Sequence, residues 1–548
     1  KAYLIVKGRG VGMENTKLAK KAGQLLVIGF NGIKVPQEVR DLIHDYHIGS
    51  IILFGRNIGT PKEVLALTTD LQREAKKAGY PHPLLICVDQ ENGVVRRLGE
   101  GATIFPGAMT LGATGNPNHA YNVGVATGKE LKALGINWNL APVLDVNNNP
   151  DNPVIGVRSF GESAESVSSF GRASMQGMQE AGIATTLKHF PGHGDTNVDS
   201  HLDLPVITHG LARLEEIELK PFKDCIAEGA DTIMTAHVYF PSIETEPGIP
   251  ATLSRKVVTG LLREKLHFNG VVTTDCMEMN AILHGIGTEK GAVAALKAGV
   301  DYVMISHTIE RQVGAIREIL KAVENGELKE EEIDQAIQRI NSLKEKYLSW
   351  DDLYLGEEPV VPETVGSKQH ENIAHEAYKE GVTIVKNNGI LPLSTNSSRI
   401  LVVHPDNGTT MQVEDKRYAN LSLGEAIKEY EPNADIFQFS SALSEKEIEA
   451  IVEKASDYDT VIVGTLTITP NSKQITLIEK LIKEKDSIIV IAMRSPYDYG
   501  YLPDVPVYMN TYEFTYPALK VAAGAIFGKE EVKGNLPVTV TKRLVEGK

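Results

Sequence analysis

The sequence predicts an α/β protein in which a (β/α)8, TIM-like barrel over residues 1–350 is joined by a linker at 351–368 to a three-layer α/β/α sandwich domain over 369–548. Three observations predict it: short β-branched runs alternate with helical stretches, polar residues lie at or just after the ends of those runs, and a second alternation begins beyond a segment rich in Pro and Glu. A chain of 548 residues has room for a barrel of about 250 residues or more and for a further domain.

Eight short runs of branched apolar residues predict the barrel strands. Several are continuously apolar, as in parallel strands buried on both faces, and stretches with helical periodicity such as 62–78 and 166–182 separate them. Eight such units within about 310 residues fit the length of a (β/α)8 barrel. The predicted strands are LLVIGF (25–30), SIILFG (50–55), LLICVD (84–89), INWNLAP (136–142), ATTLKHF (184–190), TIMTAH (232–237), VVTTD (271–275) and YVMIS (302–306).

The second domain follows a charged helical stretch at 330–350 and the Pro-, Gly- and Glu-rich segment 354–367, which has the composition of a linker. Beyond it, apolar runs again alternate with helical stretches, the pattern of a sheet covered by helices on both faces. The predicted elements of this domain are strands at 381–387, 399–404, 460–466, 487–493 and 506–512, and helices at 444–456 and 517–528.

Polar residues lie at the ends of the predicted barrel strands or just after them. In a barrel of parallel strands these ends meet at one mouth, where the active sites of this fold are built. The sequence therefore predicts a functional site at that mouth. The polar residues are Arg56 and Asn57, Asp89, Asp145, Lys188 and His189, His237, Asp275, and Ser306.

Composition and charge exclude several classes of partner. The net charge is −15 and no long Lys/Arg block occurs, which argues against a nucleic-acid or anionic membrane surface and favours a neutral or cationic partner. No apolar run reaches the roughly 18 to 20 residues that cross a bilayer, so we expect no membrane span. The glycines at 8–10 and 29–32 form neither GxGxxG nor a P-loop, so nucleotide binding is not predicted.

The cysteines indicate a compartment. Cys87, Cys225 and Cys276 are far apart, form no CxxC pair and leave an odd thiol, which argues against a disulfide framework. Since unpaired thiols favour a reducing compartment, we expect a cytoplasmic protein. Secretion would require a signal ahead of Lys1, because the apolar stretch in residues 1–17 is too short for a secretory core.

The segment KHFPGHGDTNVDSH (188–201) concentrates histidines and aspartates. Asp199 lies two residues before His201, in a loop where no regular element is expected before about residue 210. A carboxylate in this position can hold one ring nitrogen so that the other exchanges a proton, although D-x-H also arises by chance in polar loops. A zinc site is a further alternative, but neither HExxH nor CxxC occurs and we expect no metal. Its ligands would come from His189, His193, Asp195, Asp199 and His201.

Three other segments carry candidate chemistry. Asp275 ends the seventh predicted strand and precedes CMEMNAI, which is predicted to begin a helix, so its carboxylate is placed either as a nucleophile or as the cap of that helix. Asp89 is followed by Arg96 and Arg97, a combination that suits a polyhydroxylated ligand or a structural ion pair. Arg158 lies in a polar segment after the fourth strand, which is compatible with a binding role.

Four motifs together resemble those of family 3 glycoside hydrolases of the β-N-acetylglucosaminidase branch, in order and in spacing. They are VDQENGVVRRL (88–98), VIGVRSFG (154–161), KHFPGHGDTNVDSH (188–201) and GVVTTDCMEMNAI (270–282). The resemblance covers the barrel and extends more loosely into the second domain at 382–393 and 534–540. It implies a barrel followed by an α/β/α sandwich, no cofactor, and a carbohydrate substrate.

Carried onto this sequence, the resemblance implies that Asp275 forms a covalent glycosyl-enzyme intermediate and that His201, paired with Asp199, is the general acid/base. The implied pocket for a terminal N-acetylglucosamine consists of Asp89, Arg97, Arg158, Lys188 and His189, with His237 as a further wall. The implied activity is that of a retaining exo-β-N-acetylglucosaminidase acting on peptidoglycan fragments, as in peptidoglycan turnover, or on chito-oligosaccharides.

Other activities remain open from the sequence. Because a neutral imidazole does not repel an incoming anion, a retaining phosphorylase acting on β-N-acetylglucosaminides or β-glucosides with the same aspartate and histidine is the main alternative. A metal-dependent hydrolase and a sugar-binding protein without turnover are the others. A binder has no use for Asp275 and His201 together, which disfavours it.

Two positions depart from the family pattern. QENG follows Asp89 where a Gly-Gly pair is expected, so Asn92 is expected to reshape the turn that aims Arg97. Cys276 and Met277 are a less usual continuation after the candidate nucleophile.

Overall fold

The computed structural model describes residues 13–394, 398–406, 411–440 and 442–542. The glycine-containing segment at 8–10 and the outermost ends of the predicted domains lie outside these residues. Within them the chain forms a (β/α)8 barrel followed by an α/β/α sandwich, so the predicted fold class is confirmed. No helix in the described part of the chain combines the length and the apolar character that crossing a bilayer requires.

Each predicted barrel run contains a strand, and all these strands pair in parallel. They are β1 (Leu26–Ile28), β2 (Ser50–Leu53), β3 (Leu85–Val88), β4 (Trp138–Asn139), β5 (Thr186–Phe190), β6 (Thr232–Thr235), β7 (Val271–Thr274) and β8 (Val303–Ile305). Their order is β4-β3-β2-β1-β8 in one sheet and β5-β6-β7 in another. Single bridges join Trp138 to Ala184 and Thr273 to Tyr302, which closes the ring.

Helices connect the strands of the barrel. At the start of the helix that begins at Pro61, Thr60 and Glu63 form a capping box, since the Thr60 hydroxyl accepts from the Glu63 N–H and the Glu63 carboxylate accepts from the Thr60 N–H. A π-helical segment spans Lys256–Lys265. The helices are α1 (Met13–Gln24), α2 (Gln37–Tyr46), α3 (Pro61–Lys77), α4 (Ala108–Ala113), α5 (Pro117–Ala133), α6 (Ala164–Glu180), α7 (Leu211–Glu216), α8 (Lys220–Ala227), α9 (Asn280–Leu283), α10 (Thr288–Ala298), α11 (Ile309–Glu324) and α12 (Glu330–Tyr347).

The segment between α12 and the second domain lies against the barrel. The Arg73 guanidinium donates to the carbonyl oxygens of Leu355 at 3.1 Å and Gly356 at 2.7 Å, and the Trp350 indole donates to the Tyr80 carbonyl at 3.1 Å. These hydrogen bonds hold the connecting segment along the barrel surface.

The second domain contains a six-stranded sheet in the order β11-β10-β12-β13-β14-β9, parallel except for the antiparallel β14–β9 pair. The strands are β9 (Thr383–Asn387), β10 (Ile400–Pro405), β11 (Asp435–Phe439), β12 (Thr460–Thr465), β13 (Ile488–Ala492) and β14 (Val507–Asn510). The helices are α13 (Lys368–Gly381), α14 (Leu423–Lys428), α15 (Glu445–Ala455), α16 (Lys473–Glu484), α17 (Asp498–Tyr501) and α18 (Tyr516–Ile526). The strand β11 was not predicted, because its polar positions interrupt the apolar run.

The two faces of this sheet pack against different partners because successive strand residues point to opposite sides. Leu401 and Val403 belong to an apolar cluster with residues of α15 and α16. Val402 and Ile462 belong to a second cluster, which includes residues of α14 and α18 and continues into the barrel core. The sheet is therefore the middle layer of three, and its second face is shared with the barrel.

A buried carboxylate fastens the two domains to each other. Glu513 of the second domain accepts hydrogen bonds from the Gly107 N–H at 2.8 Å and the Thr110 hydroxyl at 2.7 Å, both in the barrel. It also accepts from the hydroxyls of Tyr378 and Thr515. Burial raises the pKa of Glu513 although these donors oppose the rise. Glu513 is therefore the shared acceptor of donors from both domains, of which Thr110 and Tyr378 also have a backbone carbonyl within reach.

We expect Glu513→Ala to lower the free energy of unfolding by about 2–4 kcal/mol, because it leaves buried donors of both domains without an acceptor. Urea or thermal unfolding followed by circular dichroism measures the change. The exposed Glu531, changed to Ala, is the matched control and should alter stability by less than about 0.5 kcal/mol. Equal stability of the two variants would contradict the assignment of Glu513 as the domain fastener.

Candidate active site

A cavity of about 740 Å³ opens at the barrel mouth, where the strands end in polar residues. Segments that follow the barrel strands provide most of its lining, in agreement with the predicted location of the site. The second domain contributes residues 412–417. Of the predicted site residues, those that line the cavity are Asp89, Arg97, Arg158, Lys188, His189, His201 and Asp275.

Asp275 directly follows β7, and its side chain is partly accessible from the cavity. The Cys276 N–H donates to its Oδ1 at 2.7 Å. The next helix, α9, begins only at Asn280, so the prediction that CMEMNAI opens a helix is wrong for its first four residues. Asp275 is therefore not the cap of a helix, which was the alternative to a nucleophile.

The charge state of Asp275 is set by its surroundings. Burial favours a higher pKa, but the neighbouring His189, His237 and His201, with the Cys276 N–H, outweigh it, so the pKa of Asp275 lies below its ordinary value. The group is a carboxylate at neutral pH. This is the form that a nucleophile requires.

Asp199 and His201 form a hydrogen-bonded pair at the cavity edge. Asp199 Oδ1 accepts from His201 Nδ1 at 2.7 Å and from the His201 N–H at 2.9 Å. Because the carboxylate can only accept, Nδ1 carries a proton and Nε2 is the nitrogen left to exchange one. As predicted, their loop contains no helix or strand before α7 begins at Leu211.

Five charged side chains line up at the base of the cavity. Lys188 Nζ donates to Asp89 Oδ1 at 3.0 Å and lies 2.7 Å from Glu91 Oε1. Arg158 binds Glu91 through two parallel hydrogen bonds of 2.8 and 2.9 Å, and Arg97 lies 3.9 Å from Asp89. The chain of charges runs Arg97, Asp89, Lys188, Glu91, Arg158, so every carboxylate lies between two cations.

Glu91 is a residue that the sequence reasoning missed. Its side chain is 5% exposed, and although burial favours a higher pKa, Arg158 and Lys188 hold the pKa of Glu91 well below its ordinary value. The signal that could have identified it is its position two residues after Asp89, in the segment that departs from the family pattern. Because Glu91 binds the Arg158 guanidinium, this arginine is part of a charge network as well as a wall of the cavity.

Asp145 was recognised as a strand-end residue but received no role. It is completely buried, and its Oδ2 lies 2.7 Å from His189 Nδ1. Its Oδ1 accepts from the N–H groups of His189 and His193. The carboxylate therefore fixes a proton on His189 Nδ1, which makes Nε2 the nitrogen available to a ligand.

His237 does not line the cavity, which corrects the prediction that it forms a further wall. Its ring is 1% exposed, with Nδ1 2.7 Å from Thr252 Oγ1 and Nε2 2.9 Å from the Cys276 carbonyl oxygen. A carbonyl can only accept, so Nε2 donates to it. His237 thus fixes the backbone that follows Asp275. It influences the position of the nucleophile without lining the cavity.

The turn after β3 leads from Asn92 to Arg97. Asn92 has a φ of 72°, a left-handed conformation that Gly adopts freely and that Asn tolerates better than most residues. Gln90 Oε1 then accepts from the N–H groups of Arg97 at 2.8 Å and Leu98 at 3.2 Å. Arg96 points elsewhere, its guanidinium 3.8 Å from the Tyr418 ring centroid.

Residues of the second domain form hydrogen bonds with this same turn, a contact that no motif predicted. Arg97 donates to the Val413 carbonyl at 2.7 Å, while Arg417 and Tyr418 each donate to the Arg97 carbonyl at 2.9 Å. Arg417 also donates to the Ile58 carbonyl at 2.7 Å. The candidate site is therefore built by both domains.

Two clusters in the described chain have metal-ligand residue types. They are Cys276, Glu278 and His307 at the cavity, and Asp195, His209 and Glu218 near α7. In each, an arginine donates to a histidine Nδ1: Arg56 to His307 at 3.0 Å and Arg213 to His209 at 3.2 Å. A guanidinium beside the imidazole disfavours a second cation. The residues of the zinc alternative are engaged in separate hydrogen bonds and do not converge on one point.

Comparison with known families agrees with this architecture. Residues 17–343 match the model of the glycosyl hydrolase family 3 N-terminal domain, and residues 382–546 match the model of its C-terminal domain. The two matches cover the barrel and the sandwich.

Individual relatives extend the comparison. A protein of Pseudoalteromonas piscicida named beta-hexosaminidase A is 31% identical over 555 residues, which cover 92% of this chain and 91% of the relative. A beta-hexosaminidase of Xylella fastidiosa is 37% identical over 290 residues, 52% of this chain and 83% of that protein. The structure of a glycoside hydrolase family 3 β-N-acetylglucosaminidase from Paenibacillus sp. has a TM-score of 0.87 at 39% identity and covers 96% of this chain and 99% of that one.

We expect Asn92→Gly to keep kcat/KM within about twofold, because glycine adopts the same backbone conformation, and Asn92→Val to lower stability by about 1–3 kcal/mol, because a branched Cβ is strained there. Thermal unfolding and steady-state kinetics on each variant check the pair. A valine variant as stable as the glycine variant would show that the left-handed turn is not required.

Proposed function

The chain belongs to glycosyl hydrolase family 3, and from this premise we propose that it is a retaining exo-β-N-acetylglucosaminidase. Its substrates are peptidoglycan fragments or chito-oligosaccharides that carry a non-reducing terminal GlcNAc. The observation that supports this most is that the Asp275 carboxylate and the paired His201 belong to one cavity. The names of the full-length Pseudoalteromonas relative and of the Paenibacillus structure support the choice of sugar.

In the first step, the Asp275 carboxylate attacks the anomeric carbon while the glycosidic C–O bond breaks. His201 Nε2 gives its proton to the departing oxygen, and Asp199 stabilises the imidazolium before transfer. The products are a covalent glycosyl-enzyme and the free aglycone. Positive charge that develops on the sugar ring is offset by the bond forming to Asp275.

In the second step, water attacks the same carbon from the face that the aglycone left. His201 Nε2, now neutral, takes the proton from this water, and the bond to Asp275 breaks. Two inversions retain the anomeric configuration. A neutral imidazole also admits an anionic acceptor, so phosphate in place of water would give a glycosyl phosphate instead.

The base of the cavity suits the terminal sugar. Asp89 accepts from hydroxyl groups and Lys188 donates to them, while His189 Nε2 is free of the Asp145 contact. Because these groups are held by their neighbours before ligand binds, little ordering is required on binding. A closed, charged base of this kind favours removal of end sugars rather than cleavage within a chain.

We expect Asp275→Ala to lower kcat/KM for p-nitrophenyl GlcNAc by at least about a thousandfold, because the nucleophile is lost. The exposed Asp352, changed to Ala, is the matched control and should leave the rate unchanged. Absence of p-nitrophenol release by the wild type, or undiminished release by Asp275→Ala, contradicts the proposal. Product analysis with added inorganic phosphate distinguishes GlcNAc from GlcNAc-1-phosphate, and the hydrolase should form only the former.

The cavity mouth suggests how the two substrate classes differ. Lys416 is exposed, lines the mouth, and has no ion-pair partner among the described residues. The lactyl group of N-acetylmuramic acid carries a carboxylate that Lys416 can pair with, whereas chito-oligosaccharides carry none. The second domain would then contribute to discrimination between aglycones.

We expect Lys416→Ala to raise KM by about two- to fivefold for a GlcNAc–anhydroMurNAc disaccharide, the worth of one exposed ion pair, and to leave KM for chitobiose unchanged. Steady-state kinetics with both disaccharides measures this, with the exposed Lys446→Ala as control. An equal change for both disaccharides would show that Lys416 does not read the aglycone charge.

A further inference from the structure

The loop at 191–210 carries the Asp199–His201 pair but contains no helix or strand, so side-chain contacts must hold it in place. Asp195, near its start, accepts from His209 Nε2 near its end, and Arg213 donates to His209 Nδ1 at 3.2 Å. These contacts close the base of the loop. They do not reach the tip, where the acid/base pair lies.

His193 is fixed in the base of the loop by the segment that follows β4. Asp145 Oδ1 accepts from its N–H at 2.8 Å, and Asn152 Nδ2 donates to the carbonyl oxygens of His193 at 2.9 Å and Gly194 at 2.8 Å. A Cβ at Gly194 would lie 1.8 Å from the Val146 carbonyl oxygen, so the two segments are in close backbone contact. The backbone that carries the His193 imidazole is therefore held in place.

The ring of His193 spans from this base to the tip. Its Nδ1 lies 2.8 Å from Thr196 Oγ1, and its Nε2 lies 3.0 Å from Ser200 Oγ. The Thr196 hydroxyl lies 3.1 Å from the His193 carbonyl oxygen, to which it can donate its single proton, and in this arrangement Nδ1 donates to Thr196.

The remaining ring nitrogen of His193 is an acceptor. Burial lowers the pKa of His193 to about 4, despite the opposing charge of Asp145, so the ring is neutral at working pH and carries only the Nδ1 proton. Nε2 therefore accepts from the Ser200 hydroxyl. Ser200 is 3% exposed, whereas the side chains of Asp199 and His201 are partly exposed.

We propose that His193 is a positioning residue that holds the Asp199–His201 pair at the cavity by accepting a hydrogen bond from Ser200. This inference rests on the proposed role of His201 as general acid/base. Ser200 lies between the two members of the pair, so a rotation of its backbone moves both of them. Fixing Ser200 thus fixes the point from which the proton is delivered.

The test uses the full chain and two substrates that differ in their need for a general acid. Departure of 2,4-dinitrophenolate from its GlcNAc glycoside needs no proton, whereas cleavage of chitobiose does. We expect Ser200→Ala and His193→Leu to lower kcat/KM for chitobiose by about ten- to hundredfold, the usual cost of misplacing a catalytic group. For the dinitrophenyl glycoside, kcat/KM should change by less than about twofold.

Three further variants sharpen the test. Ser200→Thr keeps the hydroxyl and should recover most of the chitobiose activity. The double variant His193→Leu/Ser200→Ala should lose no more than the more impaired single variant, because both changes remove the same His193–Ser200 hydrogen bond. His404→Leu replaces a buried histidine in β10 of the second domain and should leave the ratio of the two kcat/KM values unchanged.

The outcomes separate this inference from the proposed function. If His201→Ala itself loses activity equally on both substrates, the general-acid assignment is wrong. If His201→Ala depends on the leaving group but Ser200→Ala does not, only the role of His193 is rejected. Since Ser200→Ala removes a single oxygen, it decides the matter even where His193→Leu does not fold.

Discussion

Charges can be buried at the barrel mouth only if each has a partner, and this constraint underlies the rest of the site. Asp89 and Glu91 share Lys188, and Arg97 and Arg158 close the two ends of the chain. Taking such groups out of water costs several kcal/mol per ion unless opposite charges and hydrogen bonds replace the water. The second domain completes the arrangement by offering a backbone carbonyl to Arg97. The substrate pocket therefore depends on domain contact as much as on the barrel.

Within the described residues, one chemical unit, a carboxylate 2.7 Å from a histidine Nδ1, recurs in three places: Asp145–His189, Asp199–His201 and Glu130–His370. In each the carboxylate directs the Nδ1 proton, so Nε2 is left over. The location and exposure of each carboxylate–histidine pair then determine its role. The first pair lies at the base of the cavity, the second is the most exposed and suits proton transfer, and the third is enclosed where α5 of the barrel meets α13 of the second domain.

The sequence predicted the features that depend on residues close together in the chain. Barrel strands were found from continuous apolar runs, because a closed parallel barrel buries both faces of each strand, whereas β11 was missed because an edge strand tolerates polar residues. Strand-end residues such as Lys188 and Asp275 were located by the same logic. The role of Glu91 and the hydrogen bond from Arg97 to the Val413 carbonyl were not predicted, since they depend on contacts between residues far apart in the chain. His237 shows the converse error: a strand-end histidine faced a carbonyl rather than the cavity.

The apolar cluster that begins in the barrel runs without a break into one face of the second domain's sheet, through residues such as Val402 and Ile462. A barrel separated at residue 350 would therefore leave part of a core open to water. Evolution or engineering that converts a two-domain form into a one-domain form must replace the apolar residues of this surface with polar ones as well as shorten the chain. The two domains thus share one continuous apolar core across their border in the sequence.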